Sequence, residues 1–350
     1  MSSTTNAIIA SAARKLGIGP VPVPAVGPDE VKIAVRVGGI CGSDLHYYLH
    51  GGFGTVRLKA PMVLGHELSG EIVETGAAVS QLRAGQRVAV NPSLACGSCS
   101  YCRSGHANHC VDMRFFGSAM RTPHVDGGFR DVLVCKAVQA VPIADHLSFA
   151  DAALAEPFAV CLHAAGQAGE LAGKRVLVTG AGPIGVLIAA SAGIAGAAEI
   201  VVTDILPQPL EIASAMGATR TINTGTEKDA LASECDAHGL FDVHFEASGH
   251  AQAFAQGLAS LKRMGIMVLV GNGGETALPI SSVMAREIQL RGSFRFHREF
   301  NTAIAHLEAG KLDARPLITA TLPASDPVPA FDLAADKARS MKVHLAFGEN

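Results

Sequence analysis

The sequence predicts an α/β protein with a β-rich part: a β-rich domain, then a doubly wound parallel-sheet domain, then a C-terminal return to the first. Three observations carry this. At 350 residues the chain is longer than one compact core usually holds. Up to about residue 150, short alternating runs are separated by Gly, Pro, Asn and Asp, the texture of an all-β body with long loops. Beyond it, Ala-rich helical stretches alternate with wholly apolar strands, as in a parallel sheet covered on both faces.

Residues 1–30 hold Pro20, Pro22, Pro24 and Pro28 and read as an irregular or edge-strand entry. In 31–37, Val31, Ile33, Val35 and Val37 alternate with Lys32, Ala34 and Arg36, the period of a half-buried strand. Segments 71–73, 87–90 and 131–134 are further short strands. In the second body 175–179, 199–203, 243–245 and 266–270 are buried strands, and 343–347 is a strand that could rejoin the first body. The expected domains are 1–150 (with a small lobe at 91–112), 151–292, and 293–350 as the return.

Composition excludes several function classes. Half the residues are hydrophobic and 17% are charged, which favours a sizeable core over disorder. A formal charge of -3 lacks the basic face that a nucleic-acid partner needs. No apolar run reaches the length of a membrane span and 1–5 shows no signal pattern, so a cytoplasmic protein without a membrane partner is expected. Eight cysteines, four of them within 96–110, favour metal binding in a reducing compartment over disulfides.

Those four, Cys96-x2-Cys99-x2-Cys102-x7-Cys110, suit a closed tetrahedral zinc that stabilises a loop too polar to form its own core. Four ligands leave no open position, so this site is expected to be structural, with His106 and His109 as solvated neighbours. A second signal is Gly180-Ala181-Gly182-Pro183-Ile184-Gly185, between the strand at 175–179 and a helical run. There the glycines let the backbone approach a pyrophosphate at a helix N-terminus. Asp204, closing the next strand, suits the two ribose hydroxyls and repels a 2′-phosphate, favouring NAD over NADP without excluding the latter. The third is Cys41, His66 and Glu67, a thiol, an imidazole and a carboxylate suited to one zinc with an open position, flanked by Ser43 and His46. Glu156, where the β-rich texture gives way to the alternating one, is a further ligand or water-holder. Cys161 reads as packing.

The cysteine lobe, the Gly-His-Glu at 65–67 and the Gly-rich turn, in that order, resemble the zinc-dependent medium-chain dehydrogenase/reductase superfamily over nearly the whole chain. Gly-His-Glu followed later by Glu156-Pro157 resembles its sorbitol dehydrogenase branch. The resemblance implies a GroES-like catalytic domain, a Rossmann domain for NAD(P), one catalytic and one structural zinc, and a homodimer or homotetramer. It implies Cys41, His66, Glu67 and Glu156 around the catalytic zinc, Glu67 or Glu156 being the direct ligand. Ser43 would take the proton of a substrate hydroxyl and pass it through the cofactor ribose to His46 and solvent. Val270, Gly271, Ser293 and Arg295 would join the Gly-rich turn in holding the cofactor. The segments 40–48, 60–67, 112–120, 123–129 and 291–296 narrow the resemblance to sugar-acid dehydrogenases of that branch. Arg295-Phe296 stands where sorbitol dehydrogenases commonly place Arg-Tyr, which makes sorbitol a poorer substrate. A sugar acid needs a cation, since an unpaired buried charge is costly; Arg295 is favoured, then Arg114, with Arg121 and His297 behind, and Asp44, Tyr47 and Phe296 as walls. The alternatives are a polyol (sorbitol or xylitol) dehydrogenase, a threonine 3-dehydrogenase, and an NAD-binding structural protein without turnover.

Overall fold

The structure is a computed structural model describing residues 3–227, 229–231 and 239–348. It divides into two compact units: Met1–Glu156 with Phe300–Gly310 and Ile318–Asn350, and Pro157–Glu299 with Lys311–Leu317.

The first unit is built on a seven-stranded sheet. Its order is Ala140–Pro142, Arg87–Val90, Glu67–Thr75, Glu30–Gly39, Lys342–Ala346 and Ile318–Pro323, with Val132–Lys136 also paired to Glu30–Gly39. The alternation read at 31–37 puts Val31, Ile33 and Val35 in the core with Leu68, Ile72, Val88 and Leu345. The proline-rich entry is a regular hairpin, Thr4–Ala12 with Lys15–Pro22, on a separate three-stranded sheet. Pro20 and Pro22 lie on its outer strand, where a missing N–H costs no ladder bond.

One register detail organises the site. Glu67 pairs with Gly39, which pairs on its other side with His344. A Cβ on Gly39 would lie 2.1 Å from Glu67 Oε2. With no side chain there, the Glu67 carboxylate crosses the central strand and reaches Lys342 on the next one.

The second unit carries a parallel sheet ordered Arg220–Asn223, Glu199–Asp204, Arg175–Thr179, Phe241–Glu246, Leu261–Leu269 and Gln289–Gly292. Numbered along the chain this is 3-2-1-4-5-6, so the strand order reverses beside Arg175–Thr179, where doubly wound sheets bind dinucleotides. Val176, Leu177 and Val178 are wholly buried, as a strand covered on both faces requires. Among the described residues no helix is long and apolar enough to cross a membrane.

Candidate active site

Cys41 ends the stretch leading from Glu30–Gly39 and caps the helix Gly42–His50. Glu67 opens the neighbouring strand Glu67–Thr75, and His66 immediately precedes it. Asp44 ties the two segments together: its carboxylate accepts hydrogen bonds from the backbone N–H of Cys41 (3.0 Å) and of Gly65 (3.1 Å) and lies 3.8 Å from His66 Nδ1. His66 Nδ1 itself is buried without a hydrogen-bond partner. Gly65, at φ 94°, admits no side chain, since a Cβ would fall 2.1 Å from the Phe129 ring.

Ligand atoms of Cys41, His66 and Glu67 lie within 4.8 Å of one another. Yet both Glu67 oxygens are taken up: buried Lys342 donates to Oε1 at 2.7 Å and Oε2 at 2.8 Å, and its third hydrogen goes to the Ile40 carbonyl at 3.2 Å. Burial pushes the Cys41 thiol up to about 11 and the Glu156 carboxyl up to about 8, with Glu67 adding to both. Burial also raises Asp44. A crowd of acids with its ammonium already committed favours a divalent cation, which restores thiolate and carboxylate together. The donor set therefore fits zinc. Proximity favours Glu67 as its carboxylate, although Lys342 holds both its oxygens; Glu156 is a second buried carboxyl.

Ser43 and His46 are half-buried and three residues apart on Gly42–His50, hence on one face. The His46 ring sits 5.7 Å from that of Phe53, and burial, with His50 and Lys337, lowers its pKa. Cys96, Cys99, Cys102 and Cys110 also come together within 4.8 Å. Their sulfurs lie 3.5 Å (Cys99–Cys102) and 4.0 Å (Cys96–Cys102) apart, close to the ~3.8 Å that a Zn–S bond of about 2.3 Å gives a tetrahedron. Backbone amides of Ser98 and Cys99 bring the Cys96 thiol down to about 6. His106 and His109 are exposed. None of the seven described cysteines is in a disulfide, and buried Cys161 donates to the Ile184 carbonyl at 3.4 Å.

In the second unit, a Cβ on Gly185 would lie 1.8 Å from the Gly180 carbonyl, whereas one on Gly182 would meet open space. That is the cradle a pyrophosphate needs at the start of the helix Pro183–Ile194. Asp204 accepts hydrogen bonds from the N–H of Ala181 (2.7 Å), Ile205 (2.7 Å) and Leu206 (3.0 Å), which places it beside the turn. Val270 and Gly271 donate to the Glu246 carbonyl, and Ser293 Oγ is buried without a hydrogen-bond partner. These features fit a nicotinamide dinucleotide.

Three residues expected as substrate walls are buried. Asp44, Tyr47 and Phe296 are at most 1% exposed, leaving no surface for a ligand; Asp44 is occupied by amides, and the Tyr47 phenol accepts from Ala119 N–H at 3.0 Å. Arg121 is ion-paired to Asp112 at 2.6 Å. Arg114 is exposed on a short strand whose Phe115 packs 5.5 Å from the His66 ring. Arg295 is half-buried, with its guanidinium 5.0 Å over Phe294.

Sequence reasoning misses two polar anchors. Lys342 carries no local signal, because its partner is 275 residues away. Glu246 is buried at the end of its strand and accepts from Ser248 N–H (2.9 Å) and Gly249 N–H (3.0 Å), holding that turn against Gly271.

A donor cluster with a spare carboxylate, a four-thiol loop and a dinucleotide turn define a class: zinc-binding nicotinamide dehydrogenases. Residues 27–145 match the alcohol dehydrogenase GroES-like domain and 183–309 the zinc-binding dehydrogenase domain. The chain is 46% identical to L-idonate 5-dehydrogenase (NAD(P)(+)) of Escherichia coli K12 over 90% of its length and 91% of that protein's. It is 39% identical to a Bacillus subtilis sorbitol dehydrogenase, covering 87% and 86%. The crystal structure of the E. coli L-idonate 5-dehydrogenase superposes with a TM-score of 0.93 at 42% identity, covering 99% of both chains. The chain belongs to the zinc-binding medium-chain alcohol dehydrogenase family.

Proposed function

We propose that this chain oxidises L-idonate at its C5 hydroxyl to 5-keto-D-gluconate, and runs the reverse reduction, with NAD(H) as the preferred cofactor. The observation that carries the chemistry is the Cys41–His66–Glu67 cluster, with both Glu67 oxygens taken by Lys342 and a second carboxyl, Glu156, buried and pushed up to about 8. Cys41, His66 and Glu156 hold the zinc, and Glu67 serves as their charged backing. When bound, zinc polarises the substrate hydroxyl and the nicotinamide accepts hydride. Ser43 takes the hydroxyl proton and His46 delivers it to solvent; burial keeps His46 neutral and able to accept it. Gly180, Gly182, Pro183, Ile184 and Gly185 cradle the pyrophosphate, Asp204 holds the ribose, and Val270, Gly271 and Ser293 hold the nicotinamide end.

Arg295 binds the carboxylate that distinguishes an aldonate from a polyol. Replacing Arg295 by Ala raises the KM for L-idonate at least tenfold and leaves a neutral polyol's nearly unchanged; equal effects on both would sink the carboxylate role. Two copies are proposed to pair through the outer strand Gln289–Gly292, beside exposed Leu278, Ile280 and Met284. Cysteines outside any disulfide throughout the described chain support a reducing, cytoplasmic setting.

A further inference from the structure

The segment 293–298 carries Arg295 between the strand Gln289–Gly292 and the helix Glu299–Glu308. Arg295 sits at φ 54°, in the left-handed region that a side-chain-bearing residue occupies only when its surroundings hold it there. The surroundings are visible. Glu299 Oε2 accepts a hydrogen bond from His297 N–H at 2.7 Å, so the carboxylate folds back over the segment it follows. Glu299 Oε1 lies 3.0 Å from Nδ1 of His163 on the helix Ala155–Ala168. His163 Nε2 is 3.3 Å from Gln167 Nε2, so the imidazole accepts from the amide on one side and donates Nδ1–H to Glu299 on the other. Upstream, Arg291 donates to the Gln167 carbonyl at 2.6 Å. Between these ties Phe296 is buried.

We propose that the Glu299–His163 pair is a positioning clamp that fixes Arg295 in its strained backbone conformation and thereby sets the affinity for the substrate carboxylate. The inference rests on the reading of Arg295 as the carboxylate's partner. Burial alone would raise the Glu299 carboxyl, but the His163 and His297 hydrogen bonds outweigh it and hold it at about 2, so the clamp stays ionised through the working pH range. A clamp acting only through a residue that touches the far end of the substrate, away from the reacting carbon, changes binding and leaves turnover alone.

The test uses full-length, zinc-loaded Glu299→Ala, Glu299→Gln, Arg295→Ala and the double Glu299→Ala/Arg295→Ala enzyme. Each is read by steady-state kinetics with L-idonate, by NADH fluorescence titration and by hydrogen exchange over 293–298. Glu299→Ala is expected to raise the L-idonate KM about tenfold, with kcat and NADH affinity within about twofold and faster exchange confined to 294–298, beyond Ser293. Glu299→Gln, which keeps an acceptor for His297 N–H, restores most of the loss. The double variant is no worse than Arg295→Ala. Unchanged exchange in Glu299→Ala, or losses that multiply in the double variant, overturns the clamp. An unchanged L-idonate KM in Arg295→Ala overturns the substrate reading instead, and the exchange data still decide whether Glu299 holds the segment.

Discussion

At the residue scale the centre is a competition for one carboxylate. Glu67 lies near enough to Cys41 and His66 to share their metal, yet Lys342 occupies both its oxygens, and Gly39 is what lets it reach Lys342. Lys342→Met leaves a buried, unpaired Glu67, which should cost about 3 kcal/mol or more in denaturant unfolding; a loss below about 1 kcal/mol would show that the pair is not the anchor described. Glu156→Ala is expected to strip the catalytic zinc, so that metal analysis finds about one zinc per chain where the parent has two, whereas Glu67→Gln retains two. The reverse pattern assigns Glu67 as the ligand. Cys41, His66 and Glu67, which the fold brings within 4.8 Å, were legible in the sequence because a thiol, an imidazole and a carboxylate are conspicuous at short spacing. Lys342 was not, since pairing across a sheet is set by register between distant segments. Asp44 and Tyr47 were legible as neighbours of the site but not in their direction: a helix turns successive side chains about its axis, and these two point inward.

At the scale of elements, two loops depend on what they hold. The short helix Ser100–Arg103 buries none of its residues, so the segment 96–110 has little apolar core to order it. Cys99→Ser should therefore expose 96–110 to rapid proteolysis at temperatures where the parent resists. Equal resistance would mean that the thiols do not share a metal. In the second unit, Gly185→Ala drives a methyl onto the Gly180 carbonyl and should weaken NADH binding at least tenfold in a fluorescence titration. The Gly-rich turn was readable because strand, turn and helix follow one another along the chain. The N-terminal hairpin was half readable: its prolines announced an edge, but the partner strand Thr4–Ala12 shows its pattern only when paired.

For the whole molecule, pH and assembly are the levers. His244 is buried in the second unit with Nε2 2.9 Å from Thr179 Oγ1, and burial lowers its pKa to about 3. The unfolded chain protonates this group near its ordinary value of 6.5 while the folded chain resists, so its contribution is intact above about pH 6.5 and is lost as pH falls toward 3. At the low end the loss is on the order of 5 kcal/mol. His244→Phe should flatten that part of the stability–pH curve; an unchanged slope would place the acid sensitivity elsewhere. Sedimentation should find a dimer that Ile280→Glu with Met284→Glu converts to monomer, and a wild-type monomer would remove the proposed interface. The two-body organisation was readable because each half has its own period, alternation of two in one and strand–helix alternation in the other. The division of the C-terminal stretch, with 311–317 in the second unit and 318–350 in the first, depends on contacts that no local pattern announces.

Zinc-dependent L-idonate oxidation is decided by following NADH formation with L-idonate, D-gluconate, sorbitol and xylitol in parallel, before and after zinc removal by a chelator and zinc re-addition. L-Idonate should give the highest kcat/KM, at least tenfold above sorbitol, with activity abolished by the chelator and restored by zinc. Robust sorbitol oxidation without L-idonate turnover, or turnover indifferent to zinc, would contradict it.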